Sequence, residues 1–154
     1  AAFEDLKVAG KIGGYGVSNF DVAEMEAWER EAGPTGCQTD QVLYNLTRRG
    51  IEWDLLPWSR ERRMPLMAYS PLEQGRLQET VLDEVGRRKG ASAAQIALAW
   101  VLRNPDVIAI PKASDPDHVR ANRAALDIEL DAGDLSLLDR AFPPPTRKRA
   151  LEIL

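Results

Sequence analysis

Four short apolar runs in this chain each stop at a cluster of polar residues, and a helix-like segment separates each run from the next. The clusters are Gly16-Val17-Ser18-Asn19-Phe20, Gln41-Val42-Leu43-Tyr44-Asn45, Ala68-Tyr69-Ser70-Pro71-Leu72 and Ile110-Pro111-Lys112-Ala113-Ser114. Strand, polar loop and helix in repeated order imply parallel strands joined by right-handed crossovers. Folds of that kind carry their functional groups at the C-terminal ends of the strands. The expected class is therefore α/β, with about four parallel strands and intervening helices. With 154 residues, the chain suffices for one domain with a real core, but falls short of the roughly 250 residues of a closed eight-stranded α/β barrel.

Local signals place the elements. Residues 1 to 9 read as the end of a helix capped by Gly10, so the chain starts mid-pattern, with Lys11-Ile12 leading into the first strand. Asp21 and Glu24 form a capping box for a helix to about Ala32, ended by Gly33-Pro34-Thr35-Gly36. A second strand covers about Cys37 to Tyr44. The helix expected from about Gly50 to Arg63 contains Pro57, which predicts a kink or two short pieces there. Pro65 to Tyr69 reads as a strand buried on both faces. Helices are expected over about Leu77 to Lys89 and Ala93 to Arg103, the latter with a Ser92/Gln95 capping box. Val107 to Ile110 is the fourth strand. Asp115-Pro116 starts another helix, and a short one spans about Asp131 to Ala141.

Composition narrows the function classes. A hydrophobic fraction of 44% with 29% charged residues is that of a globular chain. A net charge of -4 lacks the basic footprint of a polyanion binder, so no nucleic-acid partner is expected. One cysteine, Cys37, and one histidine, His118, leave no material for a Cys/His metal cluster or an internal disulfide. Cys37 is expected to be a buried, reduced thiol. No apolar stretch reaches the roughly 18 residues of a membrane span, and the acidic start is unlike a secretion signal. The cytoplasm is the default location. With a single histidine and five lysines, little remains from which to build a complete acid/base site.

The four clusters, in this order, resemble the second half of the aldo/keto reductase family, and the resemblance runs from Gly10-Lys11-Ile12 to Leu151-Glu152-Ile153-Leu154. It implies a (β/α)8 TIM barrel of which residues 1–154 supply strands five to eight, the cofactor-binding half. It further implies NADPH-dependent, less often NADH-dependent, reduction of aldehydes or ketones to alcohols. Ser18 and Asn19 match the pair that hydrogen-bonds the nicotinamide carboxamide, and Gln41 completes that grip. Neutral hydroxyl and amide groups complement a carboxamide without burying a charge. Tyr69 matches the aromatic residue stacked on the nicotinamide. Ser70, Pro71, Leu72, Gln74 and Gly75 match the loop along the pyrophosphate. Lys112 matches the cation at the ribose 2'-phosphate, with Ala113 beside it, and Ser114 and Asn122 match positions near that phosphate and the adenine.

The chain also departs from the family pattern. His118 stands where many members carry an arginine that clamps the 2'-phosphate, and Ala121 replaces a common acidic residue. Lys112 favours NADPH, whereas the missing arginine weakens the preference. The catalytic aspartate, tyrosine, lysine and histidine belong to the family's first half, and no position here matches them. No catalytic residue is assigned.

Each residue has a plainer reading when taken alone. Ser18-Asn19 suits a strand-end turn, Tyr69 suits a core, Gln41 satisfies backbone groups, and Lys112 suits a solvated surface. Glu24, Glu26 and Glu29 read as a solvated helix face, and Arg147 to Arg149 as a solvated tail. Joint order and spacing raise the four clusters above these readings. Two functions follow: the cofactor-binding half of a carbonyl reductase, or a catalytically silent nucleotide-binding or assembly module. Four parallel strands leave two open edges and an apolar inner face. A missing barrel half, or self-association, is expected to cover them.

Overall fold

The computed structural model describes residues 2–33, 36–77 and 80–154. Its centre is a four-stranded parallel sheet in the order β1-β2-β3-β4, formed by Tyr15–Ser18, Cys37–Leu43, Leu66–Tyr69 and Val107–Ala109. Chain order and spatial order coincide, so every connection is a crossover to the next strand and all four C-terminal ends lie along one rim.

The helices are α1 (Ala2–Val8), α2 (Val22–Ala32), α3 (Leu55–Glu61), α4 (Thr80–Lys89), α5 (Ala93–Leu102), α6 (Pro116–Ala124) and α7 (Ala132–Ala141). Their starts follow from local chemistry. Asp21 Oδ1 accepts from Ala23 N–H at 2.9 Å and Glu24 N–H at 3.2 Å, while Glu24 Oε2 accepts from Asp21 N–H at 2.8 Å. Ser92 and Gln95 close the same reciprocal box on α5. Asp131 and Asp134 do so on α7, where aspartate substitutes for the usual glutamate or glutamine. Asp115 caps α6 with Pro116 at its first position, where the missing N–H has no intrahelical role. Gly10, at φ 67°, closes α1, and Lys11 N–H reaches back to Leu6 O at 2.9 Å.

Register divides the sheet into two faces. Val17, Asp40, Leu66 and Val107 share one row, and Ser18, Gln41, Met67 and Ile108 share the next. The first row faces the helices. There Val42, Leu66 and Ala68 join Leu82, Val85, Ile96, Trp100 and Leu138 in one core. Trp100 is fully buried against Tyr44, with the guanidinium groups of Arg103 and Arg49 at 3.7 and 4.9 Å from its ring. α5 is buried nearly all round, which explains its almost uniformly apolar sequence.

Several sequence expectations need correction. Pro57 does not break its helix. The break lies earlier, at Trp53-Asp54, between a 3-10 turn over Gly50–Glu52 and α3. Asp54 caps α3, so Pro57 occupies the first turn, where no N–H is required. β3 is not buried on both faces: Leu66 and Ala68 are buried, whereas Met67 and Tyr69, on the opposite face, are only half-buried. Cys37 is half-buried rather than buried, and its thiol donates to Thr39 O at 3.3 Å. The basic run near the end is exposed, as expected, and Lys148 Nζ makes a surface ion pair 2.5 Å from Asp54 Oδ2. Leu77, the expected start of the next helix, is not helical; Gln78 and Glu79 lie outside the described residues, as do Pro34 and Thr35 of the Gly33–Gly36 turn.

Candidate functional site

The rim at the C-terminal strand ends gathers most of the residues singled out above. Ser18 closes β1, Gln41 stands two residues before the end of β2, and Tyr69 closes β3. Ser18 pairs in register with Gln41, Gln41 with Met67, and Leu43 with Tyr69, so pleating sets Ser18, Gln41 and Tyr69 on the open face. Lys112, Ala113 and Ser114 follow β4 on the same rim, and Lys112 Nζ donates to Ser114 Oγ at 3.2 Å. His118 and Asn122 stand farther along on α6, His118 exposed and Asn122 half-buried.

The Ser18-Asn19 turn is held tightly. Ser18 Oγ donates to Gln41 O at 2.9 Å, and Asn19 N–H donates to the same carbonyl at 3.0 Å. Asn19 takes a left-handed backbone, φ 58°, which asparagine tolerates better than most residues. Its Oδ1 is buried without a hydrogen-bond partner among the described residues. Under this turn, on the helix side, lies Asp40, 0% exposed. Phe20 N–H reaches Asp40 Oδ1 at 3.5 Å, while Oδ2 has no partner among the described residues. Burial, with a smaller contribution from the Glu24 carboxylate, pushes the Asp40 carboxyl up from 3.8 to about 7.

Residues Ser70 to Gly75 form a tightly wound loop. Ser70, Glu73 and Gln74 have φ of 46°, 46° and 55°, and Gly75 has 80°. Left-handed backbone at three non-glycine residues costs on the order of 1 kcal/mol or more each, so surrounding contacts must hold the loop. Asn45 supplies the first of them: its Nδ2 donates to Ser70 O at 2.9 Å and to Glu73 Oε2 at 2.7 Å. Its Oδ1 accepts from Thr47 N–H, Thr47 Oγ1 and Arg48 N–H. Arg48 supplies the second, with Nη2 at 3.0 Å and Nε at 3.3 Å from Glu73 Oε1. Burial alone would raise the Glu73 carboxyl, yet the Arg48 and Asn45 hydrogen bonds hold it below the usual carboxylate range. Pro71 is buried and Leu72 half-buried, while Gln74 and Gly75 are exposed on the loop's outer side.

Asp40, Asn45, Arg48 and Glu73 carry the site's support, yet sequence reasoning assigned them no role. Asn45 ends one of the four polar clusters, which was the available signal; Arg48 and Glu73 are 25 positions apart and offered none. Among the described residues no helix is long and apolar enough to cross a membrane.

Comparison with known proteins places this arrangement. The methylglyoxal reductase YeaE of Escherichia coli is 46% identical to the chain over 160 residues, covering 100% of the chain and 56% of that protein. The NADH-specific methylglyoxal reductase of Escherichia coli is 29% identical, covering 90% of the chain and 51% of that protein. A crystal structure of an aldo/keto reductase from Klebsiella pneumoniae, in complex with NADP and acetate, superposes with a TM-score of 0.94 at 48% identity, covering 99% of the chain and 56% of that structure. The chain thus spans about half the length of the curated relatives it matches. Residues 1–142 match the family model for aldo/keto reductases, and with that match the four parallel strands and their loaded rim have an assignment: this chain belongs to the aldo/keto reductase family.

Proposed function

We propose that residues 1–154 are the C-terminal, cofactor-binding half of an aldo/keto reductase barrel, strands five to eight, and that the whole enzyme reduces a small aldehyde or ketone with NADPH. The observation that carries this reading is the placement of Ser18, Gln41 and Tyr69 on one open face at adjacent parallel strand ends. The residues fit a nicotinamide nucleotide. Asn19 Oδ1, a buried acceptor with no donor among the described residues, suits a carboxamide N–H, and Ser18 and Gln41 offer neutral polar groups beside it. Tyr69 provides a flat aromatic surface, the Ser70–Gly75 loop a backbone cradle, and Lys112 a point cation for a 2'-phosphate. When bound, the nucleotide supplies hydride; this chain's own residues hold and orient it and exclude water from one side.

The protonating tyrosine and its aspartate, lysine and histidine companions have no counterpart here, so the chain alone binds nucleotide without turnover. Similarity to the methylglyoxal reductase YeaE makes a small 2-oxoaldehyde the first substrate class to test. NADH is a lesser cofactor, because Lys112 is the main group of this chain that tells the two apart. Among the described residues β1 and β4 pair on one side only, and Ile108 and Ile110 are 46% and 37% exposed. The other barrel half, or a second copy, covers that face.

Fluorescence titration tests the reading. NADPH is expected to bind the chain, and Lys112→Met to weaken NADPH by about 10-fold while changing NADH little, the worth of one partly exposed charge-assisted contact. Methylglyoxal-dependent NADPH oxidation is expected only when the complementary half is supplied. Absence of NADPH binding, or turnover by the chain alone, would overturn the proposal.

A further inference from the structure

Arg48 bonds two carboxylates from separate segments. One side of its guanidinium holds the Glu73 carboxylate, and Nη1 donates to Glu152 Oε1 at 3.0 Å. Glu73 is 7% exposed and belongs to the strained loop, whereas Glu152 belongs to the 151–154 segment. That segment makes a second contact on the rim: Leu154 N–H donates to Tyr69 Oη at 3.4 Å. The loop that faces the nucleotide and the segment that crosses the proposed stacking residue are thus joined through one side chain.

We infer that Arg48 is a positioning residue that couples the Ser70–Gly75 loop to the 151–154 segment, so that the two order and loosen together. The inference rests on the functional reading only in what the coupling serves, namely that nucleotide held by the loop settles the segment that meets Tyr69. Its physical basis lies in the geometry. A loop wound left-handed at three non-glycine positions needs an external anchor. A guanidinium fork can satisfy two carboxylates at once, which a lysine ammonium cannot do with the same geometry. One guanidinium serves both acidic groups, so a carboxylate that fixes its position spares the other the entropic cost of ordering it.

Amide hydrogen exchange reads the coupling directly, because its reporters are already bonded: Glu73, Gly75 and Arg76 N–H within the loop and Leu154 N–H on Tyr69. Without nucleotide, Glu152→Gln is expected to speed exchange at Leu154 by about 3-fold and at the loop amides by about 2-fold, in keeping with a half-exposed ion pair. Arg48→Met is expected to speed both sets by about 10-fold while the amides of α5 keep the parent rate. Arg48→Lys, which retains charge without the fork, is the substitute if Arg48→Met loses α5 protection, and is expected to speed both sets. With saturating NADPH, exchange at Leu154 is expected to slow in the parent and not in Arg48→Met. Loosening of Leu154 in Glu152→Gln with the loop amides unmoved would overturn the coupling, as would loosening of the loop alone in the Arg48 variants. A chain that fails to bind NADPH sinks the functional reading, while the nucleotide-free comparison still decides the coupling.

Discussion

Replacing Asp40 with asparagine isolates the energetic cost of a carboxylate walled in beneath the Ser18-Asn19 turn. Asp40 is 0% exposed, with one oxygen unpartnered among the described residues and the other at a marginal 3.5 Å from Phe20 N–H. Its carboxyl is raised from 3.8 to about 7 by burial, with the Glu24 carboxylate adding to the effect. The native state therefore holds the proton more tightly than the unfolded chain. The stability associated with this group is fully present below about pH 4 and is lost as pH rises through about 7. At about 1.4 kcal/mol per unit, the ionised form costs on the order of 4 kcal/mol, of which about 2 to 3 kcal/mol appears between about pH 5 and pH 8. The asparagine side chain would keep the shape and an acceptor for Phe20 N–H and would not titrate. Urea unfolding followed by tryptophan fluorescence is the assay. The advantage of Asp40→Asn over the parent should grow by about 2 to 3 kcal/mol from about pH 5 to pH 8. An advantage that is flat with pH would refute the reasoning, because it would mean that water or structural relaxation solvates the carboxylate.

Two further substitutions test the packing that presents the rim. Gly86→Ala puts a Cβ 2.5 Å from Ala91 O, and the backbone cannot yield cheaply, so α4 should lose about 1 to 3 kcal/mol despite alanine's better helix propensity; an unchanged urea midpoint would contradict this. Arg49→Met removes a 7% exposed guanidinium that holds Glu52, Asp139 and Phe142 O. Asp139 is half-exposed and Glu52 keeps Arg103 and Tyr44, so the expected loss is about 1 to 3 kcal/mol, and an unchanged urea midpoint would mean that Arg103 alone satisfies Glu52.

What was legible in the sequence was whatever depends on residues within a few positions of one another. Caps at Asp21, Ser92 and Asp115, the glycine stop at Gly10 and the apolar runs of the strands act over three or four residues, and the elements appear where they indicate. The order of those elements carries the parallel topology with it, since each strand is followed by a crossover and not by a tight turn. Ser18 and Tyr69 close their strands, so their rim positions follow from strand ends alone.

The tertiary structure decided the rest. Which face a strand residue joins depends on register with its neighbours, and so Asp40, beside Gln41 in sequence, is sealed against the helices while Gln41 lies on the open face. Pro57 depended on where Asp54 caps α3, which set the proline in a first turn instead of a helix interior. The Arg48 cluster joins residues 25 and 104 positions apart. No local pattern encodes such a meeting, because it exists only once the crossovers have brought loop, rim and the 151–154 segment to the same end of the sheet.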